Sequence, residues 1–422
     1  MLNPSTTRSL FAALLLALAS VALADTTADW PQWRGPTRDG VAAPADWPSS
    51  LDEGVLKLSW RVELGPSYSG PIVIGDRVFT TETRDKQDEV ASAYNRQTGE
   101  RLWRHEWPGA MTVPFFAAAN GSWIRATPVA DEDTLYIAGI LDVLVAIDTQ
   151  TGKERWRVDF PADYNAEAPR FGCASSPLLE GEFVYAQMGG SFVKVNKRTS
   201  EVLWQVARDG AGGTSGGAFS SPYLTKENGK TIAVVQTRNS LKGVDPDTGG
   251  ELWSQPIQAF RGMNILTPVV YQGMLFTSAH SGRSQLWRRT PQAAGELEEV
   301  WENKSSAYMS SPVVVGDHLY LHLQNRRVQC INLATGEEAW RTKPFGKYQS
   351  MVVLPGAEGE SRILALDQRG ELILFRATPE KFDVIATRKI SGAETWAHLA
   401  VCGGQVFIRE LNALAVYDWA AE

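Results

Sequence analysis

From Leu56 onward, runs of four to six apolar residues alternate with polar turns, as at Leu135 to Ala138 and Leu319 to His322. Runs of this length with alternating inward positions predict β-strands, and no stretch carries the long amphipathic stripe of a helix. The runs are punctuated regularly. A Ser/Thr-Pro element precedes each group at Pro71, Pro128, Pro177, Pro222, Pro268 and Pro312. A second element closes the group: an Asx, a Thr three positions later, usually a Gly next, and a Trp eight positions after the Asx. Its copies run from Asn95 to Trp103, Asp148 to Trp156, Asn196 to Trp204, Asp245 to Trp253 and Asn332 to Trp340.

Hairpin chemistry accounts for that spacing. Asp or Asn bonds its own backbone two residues on, Gly accepts positive φ, and Thr opens the next strand, so the Trp falls at a fixed point on that strand. An indole buries roughly 150–250 Å², enough to seal one sheet against its neighbour. Trp60, Trp103, Trp156, Trp204, Trp253 and Trp340 are therefore read as structural docking residues. Four short strands in a repeat of about 45 residues predict an all-β propeller of four-stranded antiparallel blades.

Six units begin at the Ser/Thr-Pro elements, and two degenerate ones follow near Met351 and Trp396. The last unit stops at Val416 to Asp418 without a fourth strand. Leu56 to Val62, left over before the first unit, matches Trp156 to Val158 and can fill that slot. Closure of this kind removes exposed sheet edges. Eight blades are expected, with seven as the alternative count.

Composition excludes more than it selects. Of 422 residues, 43% are hydrophobic, and the net charge of −7 comes without any Lys/Arg block. Neither a nucleic acid nor an anionic membrane surface has an electrostatic footprint here. Arg8, the apolar run Leu10 to Leu23 and the small residues Ala22 and Ala24 predict a signal peptide over residues 1–24, cleaved after Ala24. That run is shorter than a spanning helix needs, and no Cys follows the cut. A periplasmic or secreted monomer is expected, with a Trp/Pro-rich arm over 25–55 and the propeller over 56–422. Cys173, Cys330 and Cys402 are an odd number, so at least one thiol is free. Cys330 occupies the position of Ala146 and Gly243, which predicts small-residue burial.

The Asx-Thr-Gly-Trp units resemble the tryptophan-docking repeats of the pyrroloquinoline-quinone (PQQ) superfamily from Leu56 to Asp418. Trp30 to Gly40, with Trp33, Arg34, Gly35 and Pro36 at its centre, resembles the amino-terminal signature of exported PQQ-binding-like propeller proteins. The resemblance implies one of two branches: alcohol or sugar dehydrogenases holding PQQ and calcium on the axis, or an outer-membrane-protein assembly scaffold that binds partners. The chain has no adjacent Cys pair, and no calcium-ligand set of the dehydrogenases can be matched onto it, so no catalytic residue, metal or cofactor is expected. PQQ with calcium is the alternative. The scaffold's lipoprotein Cys is also missing.

Candidate binding residues lie in the loops entering each first strand, which line one mouth of a propeller channel: Trp123, Arg125, Arg170, Phe171, Arg261, Asn264, Tyr308, Tyr348, Gln349, Glu394, Trp396 and His398. Guanidinium forks and flat rings suit a carboxylate, a sugar or a peptide strand. The expected function is binding of an envelope protein, a peptide or a polysaccharide. Three patterns are read as structural. Asp245 to Gly249 lacks the remaining positions of a calcium loop. His318 and His322 stand too far apart on a strand to share one ion. Gly210 to Gly217 opens no helix, so it reads as a loop and not a phosphate cradle.

Overall fold

The computed structural model describes residues 29–208, 217–227, 229–289, 297–357 and 360–419. The segment 1–24 read as a signal peptide and nearly all of the Gly210 to Gly217 stretch lie outside the described residues. Eight four-stranded antiparallel sheets form the propeller. In blade 1 the strands run Ile72–Ile74, Arg77–Arg84, Asp88–Asn95 and Arg101–Pro108, from the axis outward. Seven sheets are made of consecutive strands. In the eighth, Leu56–Glu63 pairs antiparallel with Ala413–Trp419, placing Trp60 opposite Val416. The leading strand thus completes the last blade and closes the circle.

The repeat signature works between blades. Asn95 Oδ1 accepts the amides of Gln97 and Thr98, both at 2.9 Å, and so folds the turn. Gly99 follows at φ +71°, and a Cβ there would stand 2.7 Å from the Trp60 ring. A side chain at this position is excluded twice, by backbone conformation and by the indole seated on it. Trp60 Nε1 then donates to Arg96 O at 2.8 Å. The same clasp repeats around the ring: Trp103 to Thr149 O (2.8 Å), Trp156 to Lys197 O (2.7 Å) and Trp340 to Thr378 O (2.8 Å). Each indole therefore leaves the outer strand of one blade and anchors on the next. Its own cross-strand partner is small where the ring must lie flat: Ala93 opposite Trp103, Ala146 opposite Trp156, Gly243 opposite Trp253 and Cys330 opposite Trp340. Cys330 is fully buried, and all three thiols are free.

Trp301 belongs to this set although no Asx-Thr-Gly turn announces it. Its Nε1 donates to Leu333 O at 2.7 Å, and its ring covers Gly336. Trp204 departs the other way. It packs over Gly249, yet its Nε1 has no hydrogen-bond partner among the described residues. The equivalent carbonyl, of Pro246, already accepts Lys194 Nζ at 2.8 Å and Tyr185 Oη at 3.2 Å.

Five of the Ser/Thr-Pro elements form an inner arc over blades 1 to 5. The Gly70 amide donates to Thr127 Oγ1, the Thr127 amide to Ser176 Oγ, the Ser176 amide to Ser221 Oγ and the Ser221 amide to Thr267 Oγ1, at 2.9–3.0 Å. Amides at the crowded axis cannot reach water, so a hydroxyl from the next blade satisfies each one.

Candidate functional site

The arm before the propeller crosses the axis. Trp30 makes a two-bond bridge with Val73 of blade 1, and Pro31 O accepts the Ala130 amide of blade 2 at 3.0 Å. Arg38 reaches Pro177 O (2.8 Å) and Ser176 O (3.0 Å) in blade 3. Arg34 donates to Pro312 O in blade 6 and, at 2.7 Å, to Asp39 O. The Gly40 carbonyl and the Ala42 amide bond Val353 of blade 7. Both guanidiniums are buried and stand 5.4 and 5.5 Å from the Trp33 ring. Burial lowers them to about 10 for Arg34 and about 9 for Arg38, so both stay charged at neutral pH. Since the innermost strands on opposite sides of the ring are tied by one short segment, the channel has a floor. Trp33 forms part of it, edge-on to His398 at 5.9 Å.

Above Trp33 opens a cavity of about 390 Å³. The loops entering the first strands supply most of its wall. Arg125, Arg170, Arg238 and Arg261 line it, and among the described residues no carboxylate does. An aromatic collar surrounds the mouth. Phe116 to Phe171 and Phe171 to Phe219 lie 6.2 and 6.1 Å apart; His280 to Tyr308 is 4.5 Å; Tyr348 and Trp396 stack at 3.7 Å with 4° between planes; Trp396 meets Tyr68 at 4.1 Å. Cations sit on these rings: Arg170 on Phe116, Arg238 on Phe219 and Arg261 on Phe260, at 5.8, 4.8 and 5.2 Å. Arg261 holds φ +53° at the rim, a conformation that non-glycine residues keep only where their surroundings impose it.

Nine of the sequence-selected residues share this cavity: Arg125, Arg170, Phe171, Arg261, Tyr308, Tyr348, Gln349, Trp396 and His398. Three do not line it. Asn264 is buried and donates to Arg238 O (2.9 Å) and Ile257 O (3.1 Å), tying two loops together. Glu394 stands behind Tyr68 and accepts Gln368 Nε2 at 2.8 Å. Trp123 offers its carbonyl to Arg125 Nε at 3.2 Å. Arg125 also donates to Gly121 O at 2.9 Å, and burial brings it down to about 10, still cationic. His398 is pushed down to about 3 by burial and then by the Arg34 charge, so it is neutral. Sequence reasoning overlooked Arg238, which sits on the turn between the second and third strands of blade 4, and Phe219 and Tyr68. The arm was recognised, but nothing in its order of residues revealed that Trp33 reaches the axis.

The donor set suits an anion with a flat or apolar body. Calcium takes six to eight oxygen ligands, carboxylates prominent among them; four guanidiniums and no carboxylate do not fit it, and no cluster of three or more His, Cys, Asp or Glu among the described residues could hold a metal. The calcium of a PQQ–calcium pair therefore finds no ligand set among the described residues.

Comparison with known proteins agrees with this architecture. A polyvinylalcohol dehydrogenase of Sphingopyxis sp. (strain 113P3) is 26% identical over 48% of this chain, and the match spans 36% of that enzyme. The outer membrane protein assembly factor BamB of Shewanella oneidensis is 23% identical over 66% of the chain and 71% of that protein. Among solved structures, BamB of Moraxella catarrhalis aligns with a TM-score of 0.62 at 14% identity, covering 87% of this chain and 99% of that one. Quinohemoprotein alcohol dehydrogenase of Comamonas testosteroni aligns with a TM-score of 0.67 at 11% identity, over 95% and 82%. At such identities the likeness shows the fold. A family model described as outer membrane protein assembly factor BamB matches residues 86–342, more than half of the chain. With the repeat, the ring and that match together, the chain belongs to the BamB-like family of PQQ-repeat propellers.

Proposed function

We propose that this chain is an exported recognition propeller of the cell envelope, holding a protein, peptide or polysaccharide at the mouth of its axial cavity and transforming nothing. The observation that carries the reading is the lining of that cavity. Four arginines and a collar of rings can grip an oxyanion and stack on flat or apolar groups. General acid–base chemistry needs a group that exchanges protons near neutral pH, and His398, the imidazole in the lining, is held far below that range. Family membership and the likeness to BamB support the binding role.

The test is retention from a native envelope fraction by immobilised protein and by an Arg170→Ala/Arg261→Ala double variant. Both side chains are exposed at the rim, so the variant should melt with the wild type. The reading expects a partner held by the first and lost by the second. Equal retention, or none by either, overturns it. The relationship to polyvinylalcohol dehydrogenase favours a second reading, a quinoprotein oxidoreductase. Adding PQQ and calcium to purified protein separates the two: stoichiometric binding with dye reduction on alcohols or sugars supports the enzyme.

A further inference from the structure

The arm crosses one end of the cavity, with Trp33 in its lining and Arg34 and Arg38 tied to blades 6 and 3. A strand presented to an open channel can thread it, whereas a strand presented to this one meets Trp33 and the Arg34–Arg38 crossbar beneath. Only the end of a chain, or a free small molecule, can fill a blind hole. Its charge selects which end. Arg125, Arg170, Arg238 and Arg261 line the wall, the guanidiniums of Arg34 and Arg38 stand 5.4 and 5.5 Å from the Trp33 ring, and no carboxylate lines the cavity among the described residues. An ammonium terminus would meet cations throughout. A carboxylate would meet forked donors in a partly dehydrated site, where charge-assisted bonds are strongest. The remaining wall is apolar and aromatic, with Phe171, Phe219, Tyr308, Met263 and Ile265 along it. Such walls favour an aryl or branched side chain just behind the charge.

We propose that the axial cavity is a blind pocket for the carboxylate end of an apolar chain: the free carboxy terminus of a peptide ending in a bulky apolar residue, or a free organic acid of the same shape. The arm makes the pocket selective for ends, because it removes the exit through which an internal segment would pass. Terminal carboxylate capture of this sort relies on few donors held rigidly. Here Arg125, Arg170 and Arg261 lie on loops that lead into the hydroxyl-bonded residues Thr127, Ser176 and Thr267. The proposal rests on the recognition reading and narrows it to one chemistry.

Calorimetric titration of the full mature chain tests it with four probes: an N-acetylated tetrapeptide ending in phenylalanine, its C-terminal amide, the same tetrapeptide extended by six residues beyond the phenylalanine, and 3-phenylpropanoate. The free-acid tetrapeptide is expected to bind at least tenfold tighter than its amide and than the extended peptide. Arg170→Ala/Arg261→Ala should weaken it at least tenfold without moving the melting temperature. A phenylpropanoate as tight as the peptide assigns the pocket to free acids, and a peptide tenfold tighter assigns it to chain ends; either supports the shared chemistry. Amide or extended peptide binding within threefold of the free acid, or no binding by any probe at millimolar concentration, overturns it. Failure here is separable from failure of the recognition reading. An envelope partner retained by the wild type but not displaced by the free acid leaves recognition standing and removes this pocket as its seat.

Discussion

The clasp between blades makes a differential prediction. Trp103 and Trp204 occupy equivalent positions on the outer strands of blades 1 and 3, and each covers a glycine of the following blade's turn. Their hydrogen bonding differs: Trp103 Nε1 donates to Thr149 O at 2.8 Å, and Trp204 Nε1 has no partner among the described residues. Trp→Phe removes the same atoms at both positions. The smaller ring should cost about 1–2 kcal/mol at either site through lost burial. Trp103→Phe also strands a carbonyl at a buried junction, which adds about 1–3 kcal/mol. Trp204→Phe strands nothing and instead deletes an indole N–H that is already without an acceptor. Trp103→Phe should therefore destabilise by about 1–3 kcal/mol more than Trp204→Phe, measured by urea unfolding with both the denaturant slope and the midpoint compared. Equal losses, or a larger loss at Trp204, would show that the indoles act through area alone and refute the clasp.

Further predictions concern the core and the arm. Gly336→Ala places a methyl 2.6 Å from Trp301 at φ +77°, whereas Gly316, at φ +57°, has nothing within 4 Å; thermal melts should show a loss of about 2–4 kcal/mol for the first and about 1 for Gly316→Ala. Glu89 is buried, accepts Trp107 Nε1 (2.9 Å) and the Ile140 amide (2.8 Å), and burial drives its carboxyl up to about 8. The folded state then holds a proton that the unfolded chain releases near its ordinary value. Stability should fall as pH rises between about 4.5 and 8, by up to about 1.4 kcal/mol per pH unit. Melting temperatures of Glu89→Gln should lose that part of the slope, and an unchanged slope would contradict the assignment. Arg34→Ala/Arg38→Ala unties the arm from blades 3 and 6, so limited proteolysis should cut it within residues 29–45 while the ring stays intact. An arm that resists protease as the wild type does would refute the crossbar.

How much of this was legible in the chain follows from the range of each interaction. The Asx-Thr-Gly turn is local: Asn95 bonds amides two and three residues away, so its chemistry is written in adjacent letters and repeats visibly. From that repeat came the blades, their number, the leading strand as the closing piece and the loops that face the axis. Trp301 escaped because no Asx-Thr-Gly signature precedes it in the sequence, although its contact with the next blade is the same. The axial cavity was half legible. Residues in loops entering the first strands could be found by counting, while Arg238, on another turn of its blade, could not.

What the tertiary structure alone decided is everything that depends on the ring being closed. Thr127 and Ser176 are ordinary hydroxyls in the sequence; only at the axis does each satisfy the amide of the neighbouring blade. Trp33, Arg34 and Arg38 lie before the first strand, and nothing near them in the chain names Pro177 or Pro312 as partners. Those contacts span well over a hundred positions, and they exist because closure brings carbonyls from opposite sides of the circle within reach of one short segment. Local hydrogen bonding therefore set the blade, and long-range closure set the pocket.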